Sequence, residues 1–275
     1  MAVDARTLTL QRPRTLKAAL AMLAHQPTLT PIAGCTDVLV GLHLNTTDKK
    51  QFIDLWSLDE LRGISAVGAG GVRIGALTTY ADIIASPLMR KRVPMLVAAA
   101  REIGGAQIQN RGTLGGNIAN ASPAGDTLPV LAAAGAQIVL RSTGTGRRVP
   151  FTEFYTGYRK SVRRPDELIT AVEIPPIIGR QWWRKVGTRR AQAISKIMMA
   201  GVRGSEVRIA IGSVAPTVVL ATQTAVVLVD GGSMAEAQSA LRREIAPIDD
   251  LRSTGEYRQQ VAENLLAAFW NDTNE

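Results

Sequence analysis

Thr113-Leu114-Gly115-Gly116-Asn117 sets a glycine pair between short polar side chains; it closes a stretch that opens at Gly104-Gly105 and runs on through Ala121-Ser122-Pro123-Ala124-Gly125-Asp126. A glycine pair lets the backbone approach an anion or a ring edge with no Cβ in the way, and permits dihedrals that turn successive N–H groups toward one acceptor. Thr113 and Asn117 can donate to phosphate or ring oxygens, and Asp126 can accept from a sugar hydroxyl or a nucleotide amine; Asp126 could equally cap a helix beginning at residue 127. A second element lies upstream. Pro31-Ile32-Ala33-Gly34-Cys35-Thr36-Asp37 precedes the apolar Val38-Leu39-Val40 and reads as a short strand, a tight turn and a helix whose N-terminus could face a phosphate. Cys35 within it reads as a small space-filler, because a single thiol has no resolving partner. Such paired donor turns suit a flavin nucleotide.

In this order, and together with Glu173-Ile174-Pro175 and Lys185-Val186-Gly187-Thr188-Arg189-Arg190, these motifs resemble the FAD-binding subunit or domain of the molybdenum hydroxylases, the group of xanthine dehydrogenase, aldehyde oxidase and carbon monoxide dehydrogenase. The resemblance covers the whole chain. It implies that the turn at 31–37 wraps the FAD pyrophosphate, that Thr113, Gly115, Gly116, Asn117 and Asp126 lie along the flavin and its ribityl-phosphate, and that Ile103 and either Ile169 or Thr170 pack near the ring. Lys185 falls where the family places a lysine beside the FAD; a fixed cation at the flavin N1–C2=O edge would favour the reduced ring. Ile194 matches a residue over the isoalloxazine. Gln192-Ala193 stands where some animal members carry an acidic pair, which leaves the control of NAD access by this loop open.

The implied fold is α+β: a two-lobed FAD-binding α/β domain of the vanillyl-alcohol-oxidase type, then a smaller C-terminal α+β domain. The implied function is a noncovalent FAD carrier that takes electrons from two [2Fe-2S] clusters on a small subunit, fed by a molybdenum centre on a large subunit, and releases them to NAD, oxygen or a quinone. A dimer of heterotrimers is the expected assembly. Two other readings remain: a flavin-free adaptor that kept the fold, and a stand-alone flavin reductase, for which no substrate-binding acid or proton donor is found.

Composition agrees with this division of labour. The single Cys35, with only His25 and His43, supplies no ligand set for an iron–sulfur cluster or a zinc site, so the metals are expected on other chains. Neither histidine has the partners of a catalytic triad. The net charge of +9 raises nucleic acid as a partner, but the basic residues are scattered and only 4% of the chain is aromatic, which argues against it. No apolar run is long enough to cross a bilayer. The N-terminus, with Asp4, Arg6 and Arg12, lacks a secretory hydrophobic segment, so the cytoplasm is expected.

The elements that must position these residues follow from pattern. Thr15 caps a helix through about His25 with Leu16, Ala19, Leu20 and Leu23 on one face. Residues 29–33 and 51–55 read as strands, and 63–67 with 72–76 as a hairpin about Gly68-Ala69-Gly70-Gly71, a turn followed by a strand and so not a dinucleotide fingerprint. Helices are expected at 79–85, 94–103 and 127–134, and strands at 136–142 and 168–174. Pro175-Pro176 separates a first domain, 1–176 with lobes of about 1–57 and 58–176, from 177–275. Beyond it, 182–186 and 207–214 read as strands and 233–243 and 256–271 as helices; Ser233 and Glu236 form a capping box, and 217–229 is ambiguous. These helices are expected on one side of a sheet.

Overall fold

The computed structural model describes residues 7–274, so Asp4 and Arg6 lie outside it. Three larger sheets follow one another along the chain, and a two-stranded ribbon pairs Tyr155–Gly157 with Lys160–Ser161. The first is parallel, with strand Gln51–Asp54 between Thr9–Gln11 and Thr30–Ile32. Parallel strands that follow one another in sequence need a crossover, and helix Leu16–His25 supplies the one from Thr9–Gln11 to Thr30–Ile32. Its Thr15 hydroxyl accepts from the Ala18 amide, and Leu16, Ala19, Leu20 and Leu23 pack with Ile53 and Leu55.

The second sheet is antiparallel, in the order Ile64–Val67, Gly71–Gly75, Leu168–Ile174, Gln137–Arg141, Gly146–Pro150. Ile74, Val172, Ile138 and Leu140 form one core with Leu96, Leu114, Ile118 and Leu131 from the overlying helices Pro94–Arg101, Leu114–Asn120 and Leu128–Ala133. The third sheet is a meander, Arg180–Gly187, Ser195–Arg203, Val207–Gly212, Val219–Leu220. On one face Ile197, Met199, Ile209 and Ile211 pack with Leu241, Leu265, Leu266 and Phe269 of helices Met234–Glu244 and Gly255–Asp272. On the other, Ala200, Val202 and Ala210 join the core of the second sheet. Helix Leu128–Ala133 is wedged between the two sheets and buried along its whole length. Pro175-Pro176 falls in the connection between the second sheet and the third.

Several elements depart from the sequence reading. Thr113–Asn117 is not an open glycine loop: Thr113 caps helix Leu114–Asn120, which ends at Ala121 in the left-handed conformation, φ +52°. Helix Pro87–Arg92 and strand Ser195–Arg203 have no counterpart in that reading, and the ambiguous 217–229 resolves into a two-residue strand and helix Thr222–Val229. The expected hairpin is present, with Ile64–Val67 paired antiparallel to Gly71–Gly75. No helix among the described residues is long and apolar enough to cross a membrane.

Candidate functional site

Between the first sheet and the start of helix Leu114–Asn120 runs a cleft with two adjoining arms that share Thr30 to Ala33, Gly116 and Ala119 as walls. The larger encloses about 1030 Å³, its open mouth included, and contains Pro31, Ile32, Ala33, Gly34, Cys35, Thr36 and Asp37 on one side and Ile103, Thr113, Gly116 and Asn117 on the other. The smaller encloses about 720 Å³ and adds Gly115 and Ile169. Two motifs about 80 residues apart in sequence thus face each other.

The upstream turn is a cluster of free backbone donors. The amides of Gly34, Cys35, Thr36 and Asp37 donate to no acceptor among the described residues. Cys35 adopts φ +61° beside right-handed neighbours such as Asp37, the alternation that folds successive N–H groups into a concavity. Gly34 is where the two parts of the chain cross: a Cβ there would lie 1.6 Å from the Arg111 carbonyl oxygen. Arg111 in turn stacks its guanidinium 3.8 Å over the Trp56 ring, which Arg62 covers at 4.3 Å. Burial and the Asp54 carboxylate push the Cys35 thiol up, with Arg111 opposing them, so it stays protonated and unreactive near neutral pH.

The downstream motif works differently from the sequence expectation. Its glycine amides are not bare: Gly115 N–H donates to the Ala76 carbonyl at 2.8 Å and Gly116 N–H to the Thr113 hydroxyl at 3.1 Å. Gly115 serves close packing, because a Cβ would meet Ala76 at 2.7 Å, and Gly116 keeps the cleft wall flat. The Thr127 hydroxyl donates to Asn117 Oδ1 at 2.6 Å, which leaves the Asn117 amide nitrogen as the free donor. Across the cleft, Asn120 donates to Asp37 at 3.1 Å and ties the two motifs together.

Four sequence-predicted residues are not brought into the cleft wall. Asp126 is buried and neither caps the following helix nor meets the cleft; it accepts from Lys185 at 2.7 Å and from the Ser195 hydroxyl. Burial pushes its carboxyl up against the opposing pull of Lys185 and Ser195. Lys185, only 4% exposed, also donates to the Glu102 carbonyl at 3.1 Å, so it lies directly behind Ile103. Thr170 points into the second sheet and donates to the Val139 carbonyl at 3.2 Å; of the pair, Ile169 is the one at the cleft. Ile194 is 59% exposed on the loop before strand Ser195–Arg203 and lines neither arm.

Tyr80, Leu168 and Arg163 are among the cleft residues that escaped sequence reasoning. Tyr80 is buried, and burial followed by the Asp126 charge pushes its phenol well up. Leu168 is the neighbour of Ile169 in one strand, where alternation turns adjacent side chains to opposite faces and so did not mark both for the cleft. Arg163 sat in a run of basic residues that gave no sign of which one turns inward.

The FAD binding domain in molybdopterin dehydrogenase matches residues 6–177, and the CO dehydrogenase flavoprotein C-terminal domain matches residues 184–273. The chain is 33% identical over 268 residues to a xanthine dehydrogenase FAD-binding subunit of Escherichia coli O157:H7, covering 92% of this chain and 91% of that one. It is 31% identical to the glyceraldehyde dehydrogenase medium chain of Sulfolobus acidocaldarius, covering 94% and 95%. In three dimensions it superposes on a chain of carbon monoxide dehydrogenase from Hydrogenophaga pseudoflava with a TM-score of 0.88 at 28% identity, covering 95% of each.

Proposed function

The chain belongs to the family of FAD-binding domains of molybdopterin dehydrogenases, and from that premise we propose that it is the FAD-binding, electron-transferring subunit of a molybdenum hydroxylase assembly. The observation that carries the proposal is the cradle of four unpartnered amides at Gly34 to Asp37, set across the cleft from Thr113, Gly116 and Asn117.

The residues fit the group. The cradle would hold the diphosphate, because neighbouring backbone N–H groups that lack a protein acceptor offer an anion several donors at once. Asn117 would donate through its free amide nitrogen, and Ile103 and Tyr80 would bound the flavin's flat face. FAD, when bound, supplies the redox chemistry of accepting electrons and releasing them in pairs. The chain supplies position and electrostatics, and no proton abstraction from substrate is assigned to it. The buried Lys185–Asp126 pair lies one layer behind the wall at Ile103, where it would orient that wall.

In this reading the electrons come from [2Fe-2S] clusters on a small partner subunit and ultimately from a molybdenum centre on a large one, and they leave to NAD, oxygen or a quinone. The medium-chain and FAD-binding-subunit names of the relatives support a multi-subunit setting. We place it in the cytoplasm as one chain of a dimer of heterotrimers. Reconstitution of the purified chain with excess FAD, followed by desalting, is the test. Retained flavin absorbance that mild denaturation releases is expected; a colourless protein overturns the proposal in favour of a flavin-free adaptor.

A further inference from the structure

The smaller arm of the cleft contains one charged side chain, Arg163, set among apolar walls formed by Leu55, Ala76, Leu77, Leu168 and Ile169. Its Nη1 donates to the carbonyls of Arg164 at 3.0 Å and Glu167 at 2.7 Å. Its Nε and Nη2 donate to no acceptor among the described residues. Neither nearby carboxylate takes up these donors: no hydrogen bond or ion pair joins Asp166 to Arg163 among the described residues, and Glu167 is engaged elsewhere, with Arg147 gripping both its oxygens at 2.7 and 2.9 Å and the Arg164 amide donating to it at 2.7 Å. Arg163 is therefore a half-buried guanidinium with two unused donors, held in a fixed orientation by two carbonyls. Burial draws it below the usual guanidinium range. Keeping such a group at an apolar wall is unfavourable unless something that enters the arm accepts from it.

We propose that Arg163 recognises the purine end of the dinucleotide and so makes this subunit select FAD over FMN. The inference rests on the FAD reading. The amide cradle that would take the diphosphate lines only the larger arm, where Tyr80, Ile103 and Ile108 offer room for the tricyclic ring, so the smaller arm is left for the adenosine. A purine suits what that arm offers. Its two faces are flat and apolar, matching the aliphatic walls. Its ring nitrogens N1, N3 and N7 are acceptors at the edge, any one of which can take an N–H from a guanidinium whose third nitrogen is already fixed. FMN has no group that reaches this arm.

Titration calorimetry of the flavin-free full-length chain with FAD, FMN and AMP tests this, with wild type compared with Arg163→Leu and Arg163→Gln and each variant's melting curve recorded. Arg163→Leu is expected to weaken FAD and AMP by about 10- to 100-fold, the worth of a hydrogen bond from a charged donor, and to leave FMN unchanged. Arg163→Gln, which keeps a donor, is expected to fall between wild type and Arg163→Leu. Loss of FMN in the same proportion as FAD overturns the proposal and moves Arg163 to the phosphates or the scaffold. Unchanged FAD affinity in Arg163→Leu overturns it while the FAD reading stands. A wild-type chain that binds no FAD overturns both.

Discussion

The Lys185 ammonium lies 2.7 Å from Asp126, with 4% and 10% of the two side chains exposed, and the pair joins the third sheet to the turn before helix Leu128–Ala133. A cation in contact with its counter-ion presents a dipole to its surroundings, and a dipole's field falls off faster than that of a lone charge. The Lys185 that the resemblance places beside the flavin edge is buried here, paired with Asp126 and bonded to the Glu102 carbonyl next to Ile103. Lys185→Met leaves Asp126 buried without its partner, which costs about 3–5 kcal/mol. Adding Asp126→Asn removes the stranded charge and is expected to recover part of that loss. Urea unfolding of wild type, both single variants and the double variant measures the coupling; additive effects within about 0.5 kcal/mol would show that the pair is not a unit.

Gly34→Ala is expected to disrupt the cradle and the fold together, because the new Cβ would sit 1.6 Å from the Arg111 carbonyl oxygen and 2.4 Å from its carbonyl carbon. Backbone cannot yield as a flexible side chain can. Displacing the turn by even part of that overlap breaks one or two amide-to-phosphate bonds at roughly 1.5–3 kcal/mol each. A drop in FAD affinity of at least about 10-fold, with a lowered melting temperature, is the expected result of a flavin fluorescence titration and a thermal melt.

Asp250 contributes to the acid sensitivity of the C-terminal part. Burial works against its charge, but Arg258 at 2.7 Å and the amides of Arg252 and Ser253 outweigh it and hold the carboxyl at about 2. A folded-state value below the ordinary 3.8 means that the group stabilises the fold above that pH and loses its contribution as pH falls toward 2. Asp250→Asn should therefore lower the urea midpoint at neutral pH, and the gap to wild type should close between pH 3.8 and 2. Midpoints measured across that range check the sign; a gap that widens on acidification would refute it.

What the sequence made legible was the part written in local chemistry. Thr15, Thr79 and Ser233 announce helix starts through side chains that accept from their own third residue, and each cap is present. Strand Ser195–Arg203 stayed hidden because it is covered on both faces, by Phe269 and its neighbours on one side and by the second sheet's core on the other. Seven of its nine residues are buried, so no alternation marks it. Helix Leu114–Asn120 stayed hidden because two glycines in a short helix depress its propensity, and only the contact of Gly115 with Ala76 shows why they are there. The site followed the same rule: the residues of the turn at 31–37 were readable from their backbone needs, whereas Arg163 and Tyr80 depend on which way a side chain turns once distant strands have paired.

The glycine pair offers a test that separates packing from cofactor contact. A Cβ on Gly115 would press on the Ala76 Cβ and carbonyl oxygen at 2.7 Å, inside the core, whereas one on Gly116 would approach only the Thr113 hydroxyl at 2.8 Å and otherwise project from a wall common to both cleft arms. Gly115→Val forces helix and strand apart and is expected to destabilise by about 1–3 kcal/mol, the range for overpacking. Gly116→Val occupies space the cofactor needs, so its expected signature is the reverse: a melting temperature near wild type and FAD affinity reduced by at least about 10-fold, equivalent to some 1.4 kcal/mol. Melting curves and FAD titrations on the two variants read both quantities. Should Gly116→Val retain wild-type FAD affinity, the helix start at Thr113 would not border the cofactor.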